Sequence, residues 1–235
     1  MKIRDQILPV SDLSESQILE MLHLMEANYE NVIPKKFRSD LMKKDGVLLL
    51  TSEIGNLCGF STYKLIKTQL DSKKYFAIFS GDTIIQKQYW GHFALFRSFA
   101  KLMNHFLELG HQPLYWFLIT KGIRTYLMLP LFFKEFYPAF SKDTPHCLKM
   151  LMDQFGKELF GKSYHEENGI IRLELPADYL KSHLSEIPAG KLTNKHIQFF
   201  LEKNPGFVHG DELSCITEIT SSNFTSATQK FIKYQ

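Results

Sequence analysis

The sequence predicts an α/β (α+β) fold, a mixed and mostly antiparallel twisted sheet with a central parallel strand pair and flanking helices. Three observations carry that expectation. Residues 74–121 read as a strand, a short turn, a long amphipathic helix and a second apolar strand, and a crossover helix joins parallel strands. Residues 47–67 read as two strands around Gly55-Asn56, the pattern of an antiparallel hairpin. The composition, 44% hydrophobic and 23% charged over 235 residues, is that of an ordinary globular chain with ample core.

The elements follow in order. Ser14 with Gln17 three residues on is a capping-box pattern. Behind it Ile18, Leu19, Leu22, Met25 and Tyr29 recur at helical spacing, so a first helix runs to about Glu30. Pro34 opens a second, short helix with Phe37, Leu41 and Met42 on its apolar face. Strands follow at 47–53, 58–67 and 75–86. The third holds Gly81 in its interior, which marks a bulge or a close backbone approach. A helix over 92–109 turns Phe93, Phe96, Phe99, Ala100, Met103 and Phe106 to the core and stops at Gly110. Residues 114–120 are nearly continuous apolar sequence, which suits a strand buried on both faces. The segment 123–136 is helical, kinked or split by Pro130. Thr144-Pro145 opens a helix over 146–160. Strands at 169–175 and 212–220 and helices at 194–202 and 223–234 complete the chain, with 176–210 otherwise irregular. The chain reads as one domain over 1–235, with 139–235 a C-terminal elaboration that holds the last two strands of the sheet.

Composition and motifs exclude several classes. The net charge is +3, and the basic pairs are scattered without interleaved aromatics, so no nucleic-acid surface is expected. The three cysteines, Cys58, Cys147 and Cys215, lie far apart and read as buried thiols in a reduced compartment. The polar N-terminus does not read as a signal peptide, and no apolar run reaches the length of a membrane span. The expected location is therefore cytoplasmic. There is no HExxH, no paired-cysteine set and no Asp-x-Asp loop, so no metal is expected. A G-x-S-x-G elbow, a P-loop and a G-x-G-x-x-G fingerprint are also lacking.

Two candidates for chemistry remain. In Phe79-Ser80-Gly81-Asp82-Thr83, Ser80 and Asp82 either face a cleft or satisfy backbone groups at a bulge. The turn Gln88-Tyr89-Trp90-Gly91-His92-Phe93 opens a helix just beyond a strand, where free backbone N–H groups can hold an anion such as a pyrophosphate.

This element order and this turn resemble the GNAT acyltransferase fold. Gln88, Tyr89, Trp90 and Gly91 match the first half of that family's Q/R-x-x-G-x-G/A loop, and Phe93 stands at its second glycine. The resemblance implies that the loop through His92, together with Arg124 at the next helix, binds the coenzyme A of acetyl-CoA or another acyl-CoA. It implies that the strand edge at Ile84, Ile85 and Gln86 pairs with the pantetheine. It also implies a general base, with Asp82 the first candidate, and a phenol acting as acid toward the thiolate, with Tyr126 and Tyr137 the nearest hydroxyls. The expected function is acyl-CoA-dependent transfer of an acetyl or other acyl group to an amine, the partners being a small-molecule acyl donor and an amine acceptor. Two alternatives stand beside it. Phe93 and Leu131, where the family has Gly and Tyr, suit a non-catalytic GNAT-like binding module. Arg97, Lys101 and Arg124 suit an acyl-carrier-protein donor. The segment 176–210 has three readings: a lid, a homodimer contact or no functional role.

Overall fold

The computed structural model describes residues 2–173 and 177–233. The chain opens with strand β1 (Ile3–Pro9), followed by helix α1 (Glu15–Asn28). Ser14 caps α1 through both halves of the expected capping box: its Oγ accepts from Gln17 N, and Gln17 Oε1 accepts from Ser14 N. A two-residue strand β2 (Tyr29–Glu30) and helix α2 (Pro34–Leu41), with Pro34 in its first turn, come next. Three sheet strands then run in succession: β3 (Gly46–Ser52), β4 (Leu57–Leu70) and β5 (Lys73–Ile85). Helix α3 (Ala94–Glu108) crosses over to β6 (Leu114–Thr120). Short helices α4 (Ile123–Tyr126) and α5 (Met128–Phe132) precede the long α6 (His146–Phe160). Two-residue strands β7 (Tyr164–His165), β8 (Ile170–Ile171) and β9 (Tyr179–Leu180) follow. After them come α7 (Ser182–Ser185), α8 (Lys195–Lys203), strand β10 (Glu212–Glu218) and α9 (Ser226–Lys233).

Among the described residues eight strands form one sheet in the order β1-β3-β4-β5-β6-β10-β8-β7, and β2 pairs with β9 in a separate ribbon. All sheet neighbours are antiparallel except β5 and β6, which run parallel, as the crossover helix requires. The mixed sheet, its central parallel pair and the flanking helices bear out the expected fold class.

Several expectations are corrected. Strand β1 is an addition to the expected elements; it lies at the sheet edge, and among the described residues its ladder is with β3 alone. The segment 123–136 is split rather than kinked, one of its two expected readings, and its second helix ends at Phe132 instead of reaching 136. Pro130 has no N–H to give the Tyr126 carbonyl, so α4 ends at Tyr126 and α5 starts afresh. The late strand expected at 169–175 is ordered as a strand only at Ile170–Ile171, and its residues 174 and 175 lie outside the described residues. The end of the expected terminal helix, residue 234, also lies outside them. Within 176–210 the expected helix is present as α8, and β9 and α7 are elements that were not expected there. Cys58 and Cys215 are buried, while Cys147 is exposed in the first turn of α6.

The core has two sides. On one, α3 packs over Leu48, Ile78, Trp116 and Leu118 through Phe96, Phe99 and Met103. On the other, α1 and α2 cover Leu49, Phe60 and Ile84, while α6 covers Phe79, Phe117 and Ile216. Each such buried side chain contributes about 1.5–3 kcal/mol. The helices on this second side leave a gap between them above β5.

Candidate active site

The site begins with a mismatch in the sheet. β5 and β6 are in register from Phe76 opposite Leu114 to Ser80 opposite Leu118. Beyond that point β5 continues to Ile85 and β6 to Thr120 without pairing to each other. Gly81 begins the divergence. Opposite it on β4, Tyr63 pairs with Ser80 and Ser61 with Thr83, so Thr62 alone faces both Gly81 and Asp82. That is a bulge, as an interior Gly predicts. It also shifts the alternation of side chains. Phe79 and Ile84 are an odd number of residues apart, yet both pack on the side of α1, α2 and α6. A Cβ on Gly81 would lie 3.0 Å from Thr62 Oγ1 and 3.2 Å from Lys44 Cε.

A cleft of about 1080 Å³ passes through this opening. One end lies between α3 and α5, walled by Phe96, Met128 and Phe132. The Phe96 and Phe132 rings stack at 3.6 Å between centroids. The other end reaches the gap between α2 and α6, walled by Lys36, Asp40, Glu158 and Phe160.

At that second end stands a charged cluster. Lys121, which ends the apolar run of β6, is buried and pairs with Asp178 at 2.8 Å and Glu212 at 3.5 Å. Its ammonium also lies 5.3 Å from the centre of the Tyr29 ring. Burial pulls the Lys121 pKa down, but Glu212 and Asp178 more than offset it and hold the group above its ordinary range. Burial pushes Asp178 up, yet the charge and hydrogen bond of Lys121 hold it below its usual value. Glu212 is raised by burial despite Lys121, and burial likewise raises the Tyr29 phenol. Asp82 differs from the other acids. It lines the cleft, is half-buried, and among the described residues has no hydrogen bond or ion pair. Burial pushes its carboxyl above the ordinary value, opposed in part by Lys44 and Lys121.

The turn between β5 and α3 supplies the opposite end. Gly91 has φ +82°, a conformation that other residues adopt only with strain. Trp90 donates its indole N–H to the Ile85 carbonyl at 2.8 Å. The Arg124 guanidinium lies over the Trp90 ring at 3.8 Å and donates to the Leu184 carbonyl at 2.8 Å. His92 Nδ1 accepts from Ala94 N at 3.2 Å, so an imidazole caps the first turn of α3. Phe93 is half exposed at the mouth.

Of the residues singled out from sequence, Asp82, Ile84, Ile85, Trp90, Gly91, His92 and Arg124 line the cleft. Gln86, Gln88 and Tyr89 do not. Gln86 gives its N–H to the Cys58 carbonyl, Gln88 points to solvent, and Tyr89 is buried in the core beside α3. The two tyrosines expected as acids are not brought to the cleft. Tyr126 is fully buried and donates its hydroxyl to the Pro138 carbonyl at 3.0 Å. Burial raises its pKa as well. Tyr137 is buried on the α6 side, where its backbone bridges to Ile216. Tyr29 is the one tyrosine lining the cleft among the described residues.

Sequence reasoning missed Tyr29, Lys44, Lys121, Asp178 and Glu212. Lys121 carried a signal, a lysine directly after a strand buried on both faces. Asp178 carried none, since it lies in a segment without periodicity. Among the described residues no group of three His, Cys, Asp or Glu is placed to hold a metal, and no helix is long and apolar enough to cross a membrane.

No family model and no curated protein matches the chain. Solved structures resemble it. One is a conserved Enterococcus faecalis protein of unknown function, described as a probable N-acyltransferase. It is 10% identical, with 93% of this chain and 66% of that one covered at a TM-score of 0.45. Another is the NatC complex bound to Gag peptide and CoA, 13% identical, covering 94% and 100% at 0.43. A third is glucosamine-6-phosphate N-acetyltransferase from Arabidopsis thaliana, 14% identical, covering 49% and 82% at 0.37. These are distant likenesses, and the description of the fold rests on the strand order and the parallel pair.

Proposed function

We propose that this chain is an acyl-CoA-dependent N-acyltransferase acting on an amine that enters between α2 and α6. One observation carries the reading. The parallel pair ends at Ser80 and Leu118, and the cleft that opens there holds a half-buried carboxylate, Asp82, that has no hydrogen-bond or ion-pair partner among the described residues. A strand edge left unpaired over Gly81–Ile85 offers backbone groups to the amides of a pantetheine arm. The α3–α5 end, with Trp90, Gly91, His92 and Arg124, receives the rest of the coenzyme.

In this mechanism Asp82 takes a proton from the acceptor ammonium. The freed amine attacks the thioester carbonyl, the C–N bond forms, the C–S bond breaks and coenzyme A leaves as thiolate. No phenol lines the coenzyme end among the described residues, so water relays to the thiolate the second proton that the nitrogen sheds as the amide forms. A raised carboxyl is suited to the first step, because its base strength is closer to neutral pH. A free coenzyme donor is favoured over a carrier protein. Arg97 and Lys101 are both engaged by Asp5, and Arg124 by Trp90 and Leu184.

A second reading, a cleft that binds acyl-CoA without turning it over, is favoured by two contacts. Trp90 already occupies the Ile85 carbonyl, and His92 already occupies the Ala94 amide. Calorimetric titration with acetyl-CoA, followed by thiol release over a panel of amines, separates the two. Binding with thiol release supports transfer; binding without it supports the second reading; no heat and no thermal shift at millimolar acetyl-CoA removes both.

A further inference from the structure

The amine end of the cleft carries positive charge that the transfer chemistry leaves unused. The geometry points to an acceptor that bears an anionic group, a carboxylate or a phosphate, a few bonds from its amine; this rests on the acyl-transfer reading of the cleft. Lys36 on α2, Lys44 in the turn after it and Lys64 on β4 all line this end, and each is half-buried. Their neighbour Lys43 is exposed and paired with Asp40 at 2.9 Å. Among the described residues none of the three half-buried lysines forms an ion pair. Lys64 Nζ donates to the Lys43 carbonyl at 3.2 Å. Lys44 Nζ lies 5.5 Å from the centre of the Phe79 ring and 3.5 Å from the place a Cβ on Gly81 would take.

Partial burial of an ammonium without a counter-charge is unfavourable. A lysine at a rim normally avoids it by extending its head into water. The acids nearby act on these lysines through space, Asp82 on Lys44 and Asp178 on Lys36, but none of the three lysines is in an ion pair with them among the described residues. Asp40 is held by Lys43, and Asp178 and Glu212 by Lys121. Asp82 and Glu158 are the cleft carboxylates without a partner among the described residues, and Glu158 is exposed on the α6 wall. Asp82 is assigned to the amine. Lys44 lies beside Gly81, one residue away, so an ammonium at Asp82 and an anion at Lys44 are separated by the span of one small molecule. A second cationic group on the acceptor would meet three ammonium groups instead.

The test is equilibrium titration of the full chain, alone and saturated with coenzyme A, using matched amines. O-phosphoethanolamine and β-alanine carry the anion; ethanolamine and propylamine lack it. The expected result is at least tenfold tighter binding of the anionic amines, with that margin lost in Lys44→Ala/Lys64→Ala at an unchanged melting temperature. The ranking of the two anionic amines separates phosphate from carboxylate. Equal affinity for both classes, an unchanged margin in the double variant, or no binding of any amine overturns the inference. Acetyl-CoA titration reports separately on the transfer reading. Anionic-amine binding without acetyl-CoA binding removes transfer and keeps the anion site; the reverse removes the anion site and keeps transfer.

Discussion

Replacing Asp82 with Asn removes one ionisable group from the cleft and leaves its volume almost unchanged. The folded-state pKa of Asp82 is raised above the value of 3.8 for an unperturbed side chain, chiefly by burial. Stability from the protonated form is therefore full below about pH 3.8 and lost as pH rises through the higher folded value. At neutral pH the carboxylate destabilises the fold, and Asn lifts that penalty. A buried polar group short of a partner costs about 1–3 kcal/mol. Asp82 is only half-buried, and Lys44 and Lys121 offset part of the penalty, so about 1 kcal/mol is the expected gain. For a chain of 235 residues that raises the melting temperature by about 2–4 °C. Activity moves the other way. Loss of a general base lowers turnover by about 10²–10⁴-fold. In the wild type, thiol release rises with pH through the same raised value, and the Asn variant loses that limb. Differential scanning fluorimetry and a thiol-release assay read both effects. An Asn variant that melts lower, or that keeps the rate and the acid limb, refutes the assignment.

Three further outcomes are expected. Lys121→Met leaves Asp178 and Glu212 without their cation, and breaking a buried pair this way costs about 3–5 kcal/mol, read from urea unfolding midpoints. Asp5→Asn loosens β1 from α3 by removing the charge that holds Arg97 at 3.0 Å and Lys101 at 2.8 Å, at about 1–3 kcal/mol. Burial opposes the shift, but Lys101 and Arg97 lower the Asp5 pKa, so the wild-type advantage is present above about pH 3.8 and vanishes as pH falls below it; urea titrations at neutral pH and near pH 3 check this. Tyr126→Phe removes the bond to the Pro138 carbonyl and lowers stability by about 1 kcal/mol, while thiol release stays within twofold of wild type.

The central unit was legible because each local signal agreed with the next. Gly81 marked the bulge, the apolar run at 114–120 marked a strand covered on both faces, and the helix between them fixed their parallel sense. From these the place of the cleft and the position of Asp82 follow. The placement of the two tyrosines expected as acids did not follow, because a phenol in an aromatic-rich segment looks the same in sequence whether it faces a cleft or the core. Packing decided it: Tyr126 lies against Phe136, Phe199 and Phe200, three rings supplied in part by a helix over seventy residues away. The Lys121 cluster was hidden for a similar reason. Its three charged members come from positions 121, 178 and 212, and no spacing rule connects residues brought together by tertiary contacts alone.

That same cluster changes the meaning of the C-terminal region. Asp178 does more than neutralise Lys121; it anchors the segment that follows it. Leu180 and Tyr179 pair with Tyr29 and Glu30, and Lys181 N donates to the Asn28 carbonyl. Leu180 Cδ1 stands 3.0 Å from where a Cβ on Gly122 would be, so the strand lies directly against the turn after β6. Four residues on, the Leu184 carbonyl holds Arg124 over Trp90. One stretch of chain therefore touches both ends of the cleft, the charged cluster at one and the Arg124–Trp90 stack at the other. Because Lys121 is the fixed point of the first contact, its loss disturbs both ends together. Lys121→Met should thus weaken acetyl-CoA binding in addition to unfolding more readily, although Lys121 lies at the amine end. A variant that is destabilised as expected but binds acetyl-CoA with wild-type affinity would show that the two ends are held independently.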